Sequence, residues 1–355
     1  MELIRGLHNL HERHRGCVLS IGNFDGFHRG HQALIAQLRE HAERLNVPAV
    51  VQIFEPTPRD FFSKSQAPVL SSAGAARIEG PGRVATFRDK LRQLKSAGVE
   101  RVLCVRFNKR FAAIPAQDFV ERVLVKQLGV KALVVGDDFR FGAGRGGDLE
   151  LLQRLGAQHG FVAESLSAVQ VEGERVSSTA VRAALALADL EHTARLLGRP
   201  YALSGRVRRG LQLGRKLGMP TANIALTRKP ALKYGVYVVQ AECKGCPSPN
   251  LSPLAQGEGG TSGLRPPASR TGRRWMGVAN IGVRPTLEHS ACLLEVHLFG
   301  GVGEPPPDIY GQVLQVRFLK FLRPERRFDS LDALAQQMQQ DGAQARAWLK
   351  QFAVM

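Results

Sequence analysis

Short apolar runs separated by helical periodicities fill the first half of the chain. Val18–Ile21, Ala49–Phe54, Arg101–Phe107 and Ala132–Val135 are apolar enough to be strands buried on both faces. Leu34, Ile35 and Leu38 recur at the spacing of one helix face. Phe119, Val123, Leu124 and Leu128 do the same behind Asp118, which reads as an N-cap. Strand–helix alternation of this kind predicts a parallel sheet covered by helices on both sides. Ser71–Arg83, rich in Gly, Ala and Ser, interrupts the pattern and is expected to be a mobile loop.

Near residue 190 the pattern changes. Thr179–Leu187 and Leu190–Leu197 read as two helices closed by Gly198 and Pro200. Beyond them the apolar period is two: Val236 and Val238, then Leu294, Val296 and Leu298, then Leu314, Val316 and Phe318. That period predicts an antiparallel barrel or sandwich. A Pro-, Ser- and Gly-rich insert over 245–274 is expected to be disordered. Leu331, Leu334, Met338 and Trp348 mark a closing helix. The chain therefore reads as a first domain over 1–187, a linker over 188–200 and a second domain over 201–355. No internal repeat relates the halves, so they are expected to do different work.

Composition narrows this little. The 355 residues are 44% hydrophobic and 23% charged, as in ordinary globular protein. No run of 18 apolar residues exists, so no spanning helix and no membrane partner is expected. The N-terminal MELIRGLHNLHERHRG lacks the apolar core of a secretory signal, and a cytoplasmic protein is expected. Five scattered cysteines make a poor disulfide framework. Cys243 and Cys246 have ligand-like spacing but no second pair to complete a zinc site, and are expected to be exposed. The net charge of +18 favours anionic partners. The arginines are spread along the chain without a basic run, so nucleic acid is not an expected partner. Homo-oligomerisation is left open.

Candidate chemistry concentrates first in Ser20–His31. Gly22, Asn23, Asp25, Gly26 and Gly30 lie between the first strand and the first helix, where glycines let the backbone approach a ligand and a helix N-terminus offers N–H groups to phosphate. His28 and His31 fall on one side of the opening turn. Two such histidines alone are more often surface residues or caps. Placed after the first strand of an α/β domain, the step His-Arg-Gly-His resembles the signature of the nucleotidyltransferase superfamily, in which these histidines stabilise charge on the α-phosphate. Further on, Val135–Gly142 leads from a strand into a glycine loop that lacks the spacing of a dinucleotide fingerprint. Ser178 and Thr179 sit at or near a helix start, with Arg182 one turn on. They are either an ordinary cap or a second anion site for leaving pyrophosphate.

The second concentration begins at Gly205. Gly210, Gly214 and Gly218 suit a phosphate-wrapping loop, though no Walker A lysine follows them. Thr221 and Asn223, two apart in extended chain, offer neutral oxygens to Mg²⁺ carried by nucleotide phosphates. Glu295 lies mid-strand, on the face opposite Leu294, Val296 and Leu298. Inside a barrel it would be costly unless used or paired. On a solvent face it would mean nothing, and the sequence leaves both open.

G-N-F-D-G-F-H-R-G-H, F-E-P-T-P (Phe54–Pro58), G-D-D-F-R-F-G and S-S-T-A-V-R, in this order, resemble the adenylyltransferase module of prokaryotic bifunctional riboflavin kinase/FAD synthetases. G-R-K-L-G-M-P-T-A-N-I, G-V-A-N-I-G-V-R-P-T, L-E-V-H and R-P-E-R-R-F-D-S resemble their riboflavin kinase module. The resemblance implies a Rossmann-like α/β nucleotidyltransferase domain followed by a six-stranded antiparallel barrel with a C-terminal helix. It implies riboflavin, FMN and ATP as substrates, with Mg²⁺ as cofactor. Carried over by position, His28 and His31 act on the α-phosphate, Thr221 and Asn223 hold Mg²⁺-ATP, and Glu295 is the base for riboflavin's terminal hydroxyl. Phe54, Pro56, Pro58 and Arg323 would lie near flavin. Arg209 and Met219 depart from the family's usual His and Phe without removing a catalytic group. A chain with one active module, or a basic nucleic-acid binder on an inactive scaffold, fits the intact His28, His31, Thr221, Asn223 and Glu295 less well.

Overall fold

The computed structural model describes residues 1–65, 82–209, 219–226, 228–243, 273–285, 290–300 and 309–352. Gly210, Gly214, Gly218, Cys246, residues 71–81 and residues 245–272 lie outside them. The chain divides into two compact units, Met1–Arg199 with Arg228–Leu232, and Pro200–Thr227 with Lys233–Met355.

The first unit is built on a six-stranded sheet, parallel throughout. Its strands run in the order β1 (Glu2–Arg5), β4 (Arg101–Val105), β3 (Ala49–Phe54), β2 (Cys17–Ile21), β5 (Val130–Gly136) and β6 (Val162–Leu166). The four inner strands are the apolar runs visible in the sequence. The edge strands β1 and β6 escape that reading because they carry polar residues, as edges commonly do. On one face, α1 (Arg29–Leu45) packs Leu34, Ile35, Leu38 and Ala42 against Val18, Val51 and Val134. On the other, the helical segments Phe119–Gln127 and Leu149–His159 pack Val120, Leu124, Leu152 and Leu155 against Leu19, Leu103 and Leu133. Asp118 is not the N-cap expected: Pro115 starts the helix one turn earlier, and Asp118 has helical dihedrals and pairs with Arg122 at 3.3 Å. Arg83, assigned above to a mobile loop, is buried and forked onto Glu55 at 2.8 and 3.0 Å.

Strand order reverses at β2, with β3 and β4 on one side and β5 and β6 on the other. In open α/β sheets, ligands bind beyond the carboxyl ends of the strands at such a switch point. The Gly22–His31 motif leaves β2 there, and Asp137–Gly142 leaves β5 beside it.

A short antiparallel pair, β7 (Gln170–Val171) and β8 (Glu174–Arg175), follows in the first unit. The second unit is a closed antiparallel barrel in the order β10 (Thr221–Leu226), β13 (Ser290–Leu298), β12 (Arg273–Pro285), β11 (Gly235–Cys243), β14 (Val313–Pro324) and β9 (Ala202–Arg208). Ile224, Tyr237, Val239, Ala279, Leu294, Val296 and Val316 fill it and are fully buried. Val236, Val238 and Val278 face outward, under Ala345, Trp348 and Leu349 of the C-terminal helix Leu331–Phe352. Leu331, counted above in that helix's apolar stripe, is 58% exposed, because only the part of the helix from Gln337 onward is buried against the barrel. Cys243 is likewise not exposed as expected. It continues the inward set Tyr237, Val239 and Ala241, is fully buried, and is disulfide-bonded. Arg273 and Arg274 pair with Cys243 and Glu242 as the start of β12, so strand structure resumes before the expected end of the insert.

Candidate active sites

In the first unit, Gly22–His28 turns the chain from β2 into α1. Phe24, Gly26 and Phe27 adopt φ of 46°, 84° and 46°. Only glycine fits the middle position, where a Cβ would stand 2.5 Å from Val84 Cγ1. Left-handed phenylalanines cost about 1 kcal/mol or more each. Burial of both rings offsets this, and so does a clamp of hydrogen bonds. Arg199 donates to the carbonyls of Gly26 (2.6 Å) and Phe27 (2.9 Å), and Gln32 donates to Phe27 O (3.0 Å).

His28 caps α1, its Nδ1 accepting the His31 backbone N–H at 3.3 Å, and the two rings stack with centroids 3.6 Å apart. Gly30 leaves room for that stack, since a Cβ would come within 3.2 Å of His28 Nδ1. Burial pushes the His28 pKa down to about 4, against the pull of Asp25 and with the push of Arg182 and Arg199. Burial, and then His28, drive His31 well below the usual range. Both rings are therefore neutral near pH 7. Because Nδ1 of His28 accepts, its proton sits on Nε2.

Asp25 is an anchor inside the site. Its carboxylate accepts from the N–H groups of Val84 (3.2 Å) and Ala85 (3.0 Å) and from Arg182 (2.6 Å). Arg182 also donates to Gly82 O, and Ser178 Oγ donates to Asp25 O at 3.0 Å. The S-S-T-A-V-R segment is thus fastened to the first motif, 153 residues away in sequence. The cap of the helix Ser178–Leu187 is Ser177, whose Oγ accepts from Ala180 N at 3.1 Å. Ser178 is spent on Asp25, while Thr179 and Asn23 are exposed.

Phe54, at the carboxyl end of β3, opens an aromatic wall. Phe107 and Phe111 stand 5.6 and 5.5 Å from it between ring centroids. Phe61 and Phe62, from α2 (Pro58–Ser65), close on Phe107 at 5.4 and 5.8 Å. Phe62 is 52% exposed, so the wall reaches the surface. Sequence reasoning found only its first member.

In the second unit, the register settles where Glu295 lies. It is directly opposite Asn223 on β10 and Asn280 on β12, and Val236 and Arg323 continue the same row on β11 and β14. Glu295 is therefore half-buried on the outer face of the barrel, not in its interior. Directly opposed residues hold their Cβ atoms about 5 Å apart, so the carboxylate and two amides form one polar row. Thr221 is opposite His297 in the next row, and His297 Nδ1 donates to Pro220 O at 3.0 Å. Burial lowers the His297 pKa, leaving a neutral ring. Among the described residues no cluster of three or more His, Cys, Asp or Glu forms a metal site. The donors in these rows are a hydroxyl, two amides and a carboxylate, hard oxygens that fit Mg²⁺ already coordinated by phosphates. Arg323 is held by Asp341 of the C-terminal helix, Nε to Oδ1 at 2.8 Å and a terminal nitrogen to Oδ2 at 2.7 Å. Asn280 and His297 were not singled out in the sequence because strand period alone does not align separate strands. Arg199 had no local signal at all.

A doubly wound α/β unit with a histidine-capped helix at its switch point, and a barrel with a polar row on its outer face, define the fold class of a two-unit nucleotide-dependent transferase. Residues 10–180 match the FAD synthetase family and residues 197–349 the riboflavin kinase family. The chain is 45% identical over 348 residues to the bifunctional riboflavin kinase/FMN adenylyltransferase of Pseudomonas fluorescens, covering 98% of this chain and 97% of that one. The protein of the same name from Escherichia coli K12 is 45% identical over 347 residues with the same coverage. That from Haemophilus influenzae is 39% identical over 348 residues, covering 98% and 99%. A crystal structure described as a macrolide-efflux protein from Streptococcus pneumoniae superposes with a TM-score of 0.70 at 26% identity, over 96% of this chain and 97% of that one. Among the described residues no helix is long and apolar enough to cross a membrane. The chain belongs to the family of bifunctional riboflavin kinase/FMN adenylyltransferases.

Proposed function

We propose that the two activities of this family are divided between the two units, riboflavin phosphorylation within 201–355 and FMN adenylylation within 1–187. One observation carries the reading: at 45% identity along 98% of its length, the chain holds both polar constellations, each assembled by its own unit.

In the first unit a phosphate oxygen of FMN attacks the α-phosphorus of ATP, and the bond to the departing pyrophosphate breaks. The attacker is already an anion, so positioning and charge stabilisation suffice. Nε2–H of His28 and the N-terminal N–H groups of α1 are the donors we assign to the α-phosphate, with His31 holding the first ring in place. Gly22, Asn23, Gly26 and Gly30 shape the backbone around it, and Thr179 serves the leaving side from a helix start that Ser178 and Arg182 fasten to Asp25. The aromatic wall from Phe54, edged by Pro56 and Pro58, suits a planar isoalloxazine by stacking.

In the second unit an alcohol is the nucleophile and gains from a base. Glu295 accepts the proton of riboflavin's terminal hydroxyl as that oxygen attacks the γ-phosphorus and ADP leaves. Thr221 and Asn223 would hold Mg²⁺, which when bound neutralises charge on the phosphate oxygens. Gly210, Gly214 and Gly218 are assigned to the phosphates on sequence alone. Arg323 sets the C-terminal helix beside the flavin. The cytoplasm, where ATP is made and used, is the compartment proposed.

Supplied with riboflavin, ATP and Mg²⁺, the protein should form FMN and then FAD, followed by chromatography. Glu295→Ala should cut FMN formation by about a hundredfold or more while sparing FMN-to-FAD conversion, and His28→Ala should do the reverse. Normal kinase turnover in Glu295→Ala would remove the base assignment.

A further inference from the structure

The helix α3 (Phe87–Ser96) packs on the sheet through Phe87, Leu91 and Leu94. Lys90 lies on the same stripe, three residues after Phe87 and four before Leu94, and is 1% exposed. A lysine ammonium in a core position is costly unless it is paired or used. Among the described residues its side chain makes no hydrogen bond and no ion pair. Burial weakens its hold on the proton, while Asp25, Glu55 and Cys104 favour the charged form and Arg83 opposes it.

The two carboxylates whose charge acts on Lys90 are already committed. Asp25 takes the N–H groups of Val84 and Ala85 and the guanidinium of Arg182, and Glu55 takes both arms of Arg83. Lys90 is thus a cation without an anion of its own. It sits where the β2–α1 loop is tied to the start of α3, and its charge, like those of Arg182 and Arg199, acts on His31. What the site lacks is what its substrates bring.

We propose that Lys90 is a substrate-phosphate ligand of the adenylyl-transfer site, its ammonium pairing with a phosphate oxygen of ATP or FMN beside His28 and His31. This rests on the adenylyl-transfer reading of the first unit. No proton moves and no covalent bond forms: the residue supplies charge.

The test uses the full chain with Lys90→Met, which keeps the shape of the stem, and Lys90→Gln as a second variant. KM for ATP and KM for FMN are measured separately in FAD formation, kinase turnover in the same chains reports on folding, and melting is followed with and without inorganic pyrophosphate and Mg²⁺. We expect KM for one substrate to rise roughly ten- to hundredfold, the size of a charge-assisted contact. The substrate affected identifies the phosphate. The ligand-free melting temperature should hold or rise, because an unpaired buried charge has gone, while stabilisation by pyrophosphate is lost where ATP is the substrate affected. Unchanged KM values for both substrates in both variants would overturn the proposal. So would a lowered ligand-free melting temperature with pyrophosphate stabilisation intact, which marks a structural counter-ion. Absence of FAD formation by the unmodified chain would instead sink the adenylyl-transfer reading itself.

Discussion

His28 shows how one backbone contact sets a protonation state. By accepting the N–H of His31 on Nδ1, the ring closes α1 and turns its single proton outward on Nε2. Burial holds the folded-state pKa near 4, below the roughly 6.5 of an unfolded histidine. The unfolded chain therefore binds the proton first as pH falls. The stability contributed is complete above about pH 6.5 and is lost as pH falls toward 4, a total of roughly 3 kcal/mol. His28→Asn should consequently lose less stability than the wild type between pH 7 and 4.5, measured by thermal melting at each pH. An unfolding difference that stays constant with pH would mean the ring is not held neutral. The His28–His31 step could be read from the sequence because the two residues meet within one helical turn. The clamp that makes their loop tenable could not. Arg199 reaches Gly26 O across 173 positions, and nothing near Arg199 in the sequence announces the contact.

At the scale of elements, the C-terminal helix and β14 meet through a buried charge pair. Asp341 is 3% exposed and takes both arms of Arg323, with Gln337 donating to it at 2.9 Å. Removing one partner strands the other, so Asp341→Ala should destabilise the barrel unit by about 3 kcal/mol. Urea unfolding followed by the fluorescence of Trp348, on that helix, would detect it, and a change under about 1 kcal/mol would show the pair to be incidental. The same elements mark the limit of periodicity. Val236 and Val238 have the spacing of Leu294 and Val296, yet the first pair lies outside the barrel under the helix and the second pair fills it. A period of two separates the faces of a strand without saying which is inner, and that left Glu295 undecided until the register aligned it with Asn223. In the parallel sheet both faces are buried, so continuous apolar runs sufficed to find β2 to β5. Only the polar edge strands were missed.

At the scale of the whole molecule, each unit has its own core and its own constellation of polar residues. The two halves of the chemistry also ask for different things. An alcohol nucleophile gains from a base, the role proposed for Glu295, whereas a phosphate nucleophile needs donors and positioning, the role proposed for the neutral histidines and the N-terminus of α1. The product of the first reaction is a small anion that any chain with a working first unit can use. Glu295→Ala and His28→Ala chains, each unable alone to take riboflavin to FAD, should therefore restore the conversion when mixed. The expected time course, followed by chromatography, is FMN accumulating first and FAD appearing after a lag that shortens as the Glu295→Ala chain is increased. Doubling the His28→Ala chain should raise the initial FMN slope twofold and leave the final FAD rate per Glu295→Ala chain unchanged once FMN is saturating. Failure of the mixture, although the Glu295→Ala chain converts added FMN and the His28→Ala chain phosphorylates riboflavin, would mean that FMN is not released by the chain that makes it.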